Sequence, residues 1–112
     1  MAETGVAQGS VMLFSDFQDE GPMWTGHGPR MVRHVVSFDV PFLAPPAVHV
    51  GLGMWDIAAE TNQRVDVTSE QVTAQGFVIL FQTWGDTRIA RVRADWLAIG
   101  RIPHCDDFVV PG

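Results

Sequence analysis

Lysine is absent from this chain and cysteine occurs once. The lone Cys105 cannot close an intrachain disulfide. A small domain made for an oxidising space often carries one, so its absence points to folding in a reducing compartment. All seven basic residues are arginine, set against 13 acidic ones, for a formal charge of −6. That balance argues against nucleic acid or an anionic membrane surface as the main partner. No apolar run reaches the ~20 residues that span a bilayer, so no membrane insertion is expected. The first residues, MAETGVAQGSVMLF, have neither a basic lead nor a long apolar stretch and do not read as a secretory signal. The expected history is synthesis in the cytoplasm and action at a surface or in a released particle. Internal repeats, charge blocks and low-complexity tracts are also missing.

The residue combinations of common catalytic centres do not stand out either. No serine sits in a nucleophile-elbow pattern. His104 and Cys105 are neighbours in sequence, and an extended tail would point them apart. His27, His34, His49 and His104 show no metal-ligand spacing. Asp106 and Asp107 lack the surrounding loop of alternating oxygen ligands that calcium requires. The expectation is therefore no enzyme, no metal and no cofactor.

What the chain does have is alternation. The period is two rather than 3.6, which predicts strands. Candidate strands run over residues 10–17, 32–38, 47–56, 64–72, 76–84 and 87–99. Residues 19–28 are rich in glycine and polar groups and read as a loop. In the last strand Ala90, Val92, Ala94, Trp96 and Ala98 form a core face, while Ile89, Arg91, Arg93 and Asp95 lie on the other side. Six short strands without a long amphipathic helix predict an all-β fold, a six-stranded antiparallel β-sandwich. One domain is expected over 10–100. It is flanked by a flexible segment over 1–9 and an irregular tail over 101–112. The strand over 76–84 is apolar on both faces, and a single sandwich has only one interior. This predicts self-association. His49 alternates out of phase with Val48 and Val50 and is expected to face a neighbouring copy.

Two side chains suit a shallow polar site. Arg64 heads one strand, and its planar fork can bridge two oxygens. Trp84 ends another strand beside the Gly85-Asp86 turn and can offer an apolar platform. Taken alone, their residue types favour a surface charge and a core aromatic over a site.

An ordered set of motifs adds to this. SFDVPFLAPPAVHVGLGMWD (37–56) reads as strand, proline corner, strand. NQRVDV around Arg64, GFVILFQTW ending at Trp84 and ADWLAIG around Trp96 follow it. In this order, over roughly Gly21 to Gly100, the pieces resemble the H-type lectin family of sugar-binding β-sandwiches. The resemblance implies a saccharide ligand, a trimer or a hexamer, and a site between protomers. In that family an N-acetylgalactosamine site uses a loop acid, an arginine and a Trp-His pair. Arg64 falls on the arginine and Trp84 on the tryptophan. Gly85 stands where the histidine should be, with Asp86 next, and His27 stands at the loop acid. Asp19 and Glu20 lie too early in a gapless reading. Arg64, Trp84, Asp86 and His27 are thus the candidate saccharide-binding residues, with Asp86 and His27 in exchanged roles. Two readings follow. One is a multivalent carbohydrate-binding protein. The other is a trimeric structural or host-attachment component of a phage-like particle or fibre.

Overall fold

The computed structural model describes residues 2–15 and 21–103. In chain order they form β1 (Ala2–Ser15), a single-turn helix α1 (Pro22–Thr25), β2 (Arg30–Ser37), β3 (Ala47–Ile57), β4 (Val65–Glu70), β5 (Gly76–Thr83) and β6 (Ile89–Pro103). Two three-stranded antiparallel sheets, in the orders β1-β6-β3 and β2-β5-β4, make a β-sandwich. The six expected strands are therefore present. His104, Cys105, Asp106 and Asp107 lie outside the described residues, as do Phe17, Asp19 and Glu20.

The core follows from complementary sizes on the two inner faces. Central strand β6 turns Val92, Ala94 and Ala98 inward, all fully buried. Its small alanines leave room for Phe77 and Ile79 of β5 and for Phe38 and Phe42 of the proline corner. Phe38 meets Phe42 edge-on at 5.0 Å, and Phe77 meets Trp96 at 5.4 Å and 73°. Fully burying one such ring contributes roughly 1.5–3 kcal/mol. A second cluster, Met23, Phe81, Ile89 and Val92, closes the other end.

Two expectations at the ends need correction. The stretch over 1–9 is not a separate segment, because Ala2–Gly9 is strand and pairs with Trp96–Pro103 of β6. Likewise β6 continues through Arg101 to Pro103 rather than passing into irregular tail at 101. The inward residues Gly5, Ala7 and Gly9 are small because β6 fills their places. A Cβ on Gly9 would stand 2.8 Å from the Trp96 ring, and one on Gly5 would meet the Ile102 side chain. The period-two signal is thus carried by β6 and is faint in β1 itself.

The loop read over 19–28 contains a helical turn. Pro22 occupies its first turn, where no backbone donor is required, and Met23 is buried in the second cluster.

The argument from two-sided strands also changes. Leu80, on the outer face of β5, is already buried in the single chain. Arg33 of β2 and Thr68 of β4 flank it, and Arg33 pairs with Glu70 across β5. Several of the exposed apolar residues lie instead on edge strands, while Ile99 is on central β6 and Val40 and Leu43 are in the proline corner. Val35 and Met31 are on β2, Val6 and Met12 on β1, and Trp55 on β3. His49 is exposed on the outer face of its sheet, opposite Leu97.

Candidate functional site

The turn from β5 to β6 and the chain entering β4 meet at one end of the sandwich. Register brings them together, since Val65 pairs with Thr83. Arg64 and Trp84 are therefore the next residues beyond that pair. Two buried threonines clamp the segments. The Thr83 hydroxyl donates to the Arg64 carbonyl at 2.6 Å. The Thr87 hydroxyl donates to the Asn62 carbonyl at 2.6 Å and accepts from the Arg64 N–H at 3.1 Å. Hydroxyls buried this deeply are tolerable only when bonded, and these are.

On this clamp the Arg64 guanidinium donates from Nη1 to Asp86 Oδ1 at 3.1 Å. Asn62 Nδ2 donates to the same oxygen at 3.2 Å. Among the described residues Asp86 is the one partner of the Arg64 fork, so Nε and Nη2 remain open. The Asn62 side-chain hydrogen bond is the main cause holding the Asp86 carboxyl below its ordinary range. Partial desolvation opposes it, and backbone N–H groups and the Arg64 charge assist it.

Gly85 sits between the tryptophan and the aspartate with φ +71°. That conformation disfavours a side chain, and a Cβ there would stand 3.1 Å from Arg64 Nη1. The glycine thus leaves space for the arginine. Trp84 is 44% exposed, which excludes the core-aromatic reading. With Pro29, Arg30, Met31, Gln82 and Thr83 it lines a shallow cavity of about 200 Å³.

His27 is exposed in the loop after α1. Its neighbour Gly28 donates its N–H to the Gly85 carbonyl at 2.9 Å, so this loop lies against the same turn. The structure thus brings Arg64 and Asp86 into contact, and it places Trp84 one residue before their turn, where it lines the cavity shared with Arg30 and Met31. It places the His27 backbone one residue from the turn, without a contact between the His27 side chain and the other three.

Arg30 organises this corner and was not anticipated. It opens β2 opposite Thr83. Its guanidinium donates from Nε to Gly28 O at 2.9 Å and from Nη2 to Gly85 O at 3.2 Å. From Nη1 it reaches Met23 O at 3.3 Å and Pro22 O at 3.4 Å. One cation thus ties the loop, α1 and the turn together. Its burial lowers its pKa from the ordinary arginine value. Asn62 and Thr87 were also missed, since their bonds run through backbone carbonyls or a neighbour's side chain. Arg88 adds a brace, stacking on Trp24 at 4.5 Å and donating to its carbonyl at 3.0 Å.

Among the described residues no three His, Cys, Asp or Glu side chains gather as metal ligands. No helix there is long and apolar enough to cross a membrane. A cavity of about 460 Å³ lies towards the far end of β6 beside Gly5, Phe38 and Ile102. It is remote from the Arg64–Asp86 pair. Chemically, the pair offers open donors and a half-exposed carboxylate on a braced scaffold, with the exposed Trp84 one residue before the turn.

Comparison with known proteins sets this arrangement in context. The H-type lectin domain family matches residues 33–99, more than half of the chain. "ATP synthase subunits region ORF 7" of Fuscovulum blasticum is 59% identical over 109 residues, covering 97% of this chain and 95% of that relative. Discoidin-2 of Dictyostelium discoideum is 33% identical over 76 residues, covering 67% of this chain. In structure the chain is similar to recombinant discoidin II of Dictyostelium discoideum. The TM-score is 0.76 at 27% identity over 89% of this chain. The chain spans 30% of the discoidin-2 sequence and 38% of the discoidin II chain in that structure. These matches support a carbohydrate-binding role in general terms, and the chain belongs to the H-type lectin domain family.

Proposed function

We propose that this chain binds a saccharide without transforming it, at the corner formed by Arg64, Trp84 and Asp86 with His27 at the margin. The observation that carries this reading is the Arg64–Asp86 contact at 3.1 Å at the turn that directly follows the exposed Trp84. A pyranose presents adjacent hydroxyls on its rim and an apolar C–H face. The open donors of the Arg64 fork suit two vicinal oxygens. The half-exposed Asp86 carboxylate suits a hydroxyl donor. The Trp84 ring suits the apolar face. Gly85 removes the donor that a histidine would supply, so preference for N-acetylgalactosamine is not implied. His27 is near enough along the chain to contact a ligand larger than one ring.

Such a site is shallow, and its affinity for one sugar is weak. Assembly into a trimer or hexamer would supply avidity. The test is a glycan array on the intact oligomer, read beside its mass in solution. The expected result is a set of hits sharing one sugar. If no glycan binds the intact oligomer, the reading as a structural or attachment component of a particle replaces this one.

A further inference from the structure

β1 forms one edge of its sheet, and the order β1-β6-β3 leaves one side of Ala2–Ser15 without a paired strand among the described residues. Natural edges of this length are usually blunted by lysine, proline or several charges. β1 has no lysine, no proline and a single charge, Glu3. Across the sandwich the edge is not closed by β2. The cavity of about 460 Å³ lies there instead, lined by Gly5, Ala7, Gln8, Phe38, Phe42 and Trp96. An open edge above an unfilled cleft is a place for an added strand.

The strand that fits is a second copy of β1. A twofold axis normal to the sheet would run the two edges antiparallel and keep each outer face on the same side. Residues opposite one another must then share a face, so their numbers sum to an even value. The pairing is bounded by the irregularity between Met12 and Phe14, where the strand's register shifts. The outer face up to that point carries Val6, Gln8, Ser10 and Met12 opposite Ile99, Leu97, Asp95 and Arg93 of β6. Centring the axis on Gly9 sets Val6 against the second copy's Met12 and Gln8 against its Ser10. On the inner face, Ala7 then meets the second copy's Val11. Centring on Ala7 or Gln8 sets Val6 against Gln8 or Ser10 and leaves Met12 against Ala2 or Thr4. Centring on Ser10 carries Val6 across the irregularity to Phe14. Among these four centres, only Gly9 covers both exposed apolar side chains, Val6 at 63% and Met12 at 47%, within the regular run. It also keeps the two Glu3 carboxylates at opposite ends.

We propose that two copies pair through β1 about Gly9, forming a continuous six-stranded sheet. This inference does not depend on saccharide binding, because an empty glycan array leaves the mass of the particle unaffected.

The test is the mass by light scattering of the full chain and three variants. Val6→Lys and Met12→Glu each place one charge against an apolar partner, on exposed positions away from the core. Each single variant is expected to show half the mass of the wild type. The combined variant sets each introduced lysine against an introduced glutamate and is expected to recover the wild-type mass. Circular dichroism confirms that each variant keeps its strands. An odd-numbered wild-type assembly, single variants of wild-type mass, or a combined variant that stays at half mass would each overturn the proposal.

Discussion

Gly85→Ala separates two contributions at the candidate site. The φ of +71° places residue 85 in the left-handed region. An alanine there costs roughly 1–2 kcal/mol in the folded state relative to glycine. In a domain of this size each kcal/mol shifts Tm by about 4–8 °C. The second contribution is a contact, because the new Cβ would stand 3.1 Å from Arg64 Nη1. That nitrogen is the far end of a flexible chain, so it can retreat by a few tenths of an ångström with little effect on stability. Its retreat disturbs its contact with Asp86 and with any ligand bridging the pair. Gly85→Asn carries the same Cβ but tolerates the left-handed region better. Thermal melts followed by circular dichroism should place alanine lowest, asparagine between, and wild type highest. Saccharide affinity, by contrast, should fall in both variants. A Gly85→Ala protein as stable as wild type would refute the backbone argument. Equal losses for alanine and asparagine would show that the contact, not the conformation, sets the cost.

Arg30→Ala removes four carbonyl contacts that join the loop, α1 and the turn. Hydrogen bonds to a charged group contribute roughly 1.5–3 kcal/mol, and a loss of about that size in urea denaturation is expected. Arg30→Lys should recover only part of it, since an ammonium cannot match the fork. The pH dependence follows from Asp86. Its folded pKa lies below the ordinary carboxylate value, so its contribution is fully present above about pH 4 and is lost as pH falls through the lowered value. Stability and binding from this group should therefore be flat between pH 8 and 5. Titration of the wild type against Asp86→Asn checks this, and a difference between them that changes between pH 7 and 5 would contradict it.

Alternation made most of the fold legible before any coordinates. β6 announces itself through Ala90, Val92, Ala94 and Ala98, since a central strand must feed one face to the core and one outward. The first half of β1 does not, because its inward residues are the small partners of Trp96 and Ile102. Its pairing is a property of β6, and no window on residues 2–9 contains it. The helical turn of α1 is equally silent, as four residues cannot display a period. At the site, Arg64 and Trp84 stood out by residue type and strand-end position, whereas Asp86 entered as a candidate through the family resemblance. Arg30, Thr83 and Thr87 did not stand out, because they act on backbone carbonyls, and any sequence offers those everywhere. The distinction between an exposed and a buried Trp84 depended on where β5 ends, which is one residue earlier than its apolar run suggests.

The central claim is that Arg64 and Trp84 hold a saccharide. It is tested most directly by titrating wild type, Arg64→Ala and Trp84→Ala against the strongest glycan-array hit, with Tm measured on the same samples. The side chains are 42% and 44% exposed, so neither substitution should unfold the chain. Removing the charged fork should weaken binding by about one to two orders of magnitude. Removing the ring should weaken it by roughly tenfold. Wild-type affinity in the Arg64→Ala protein would contradict the account.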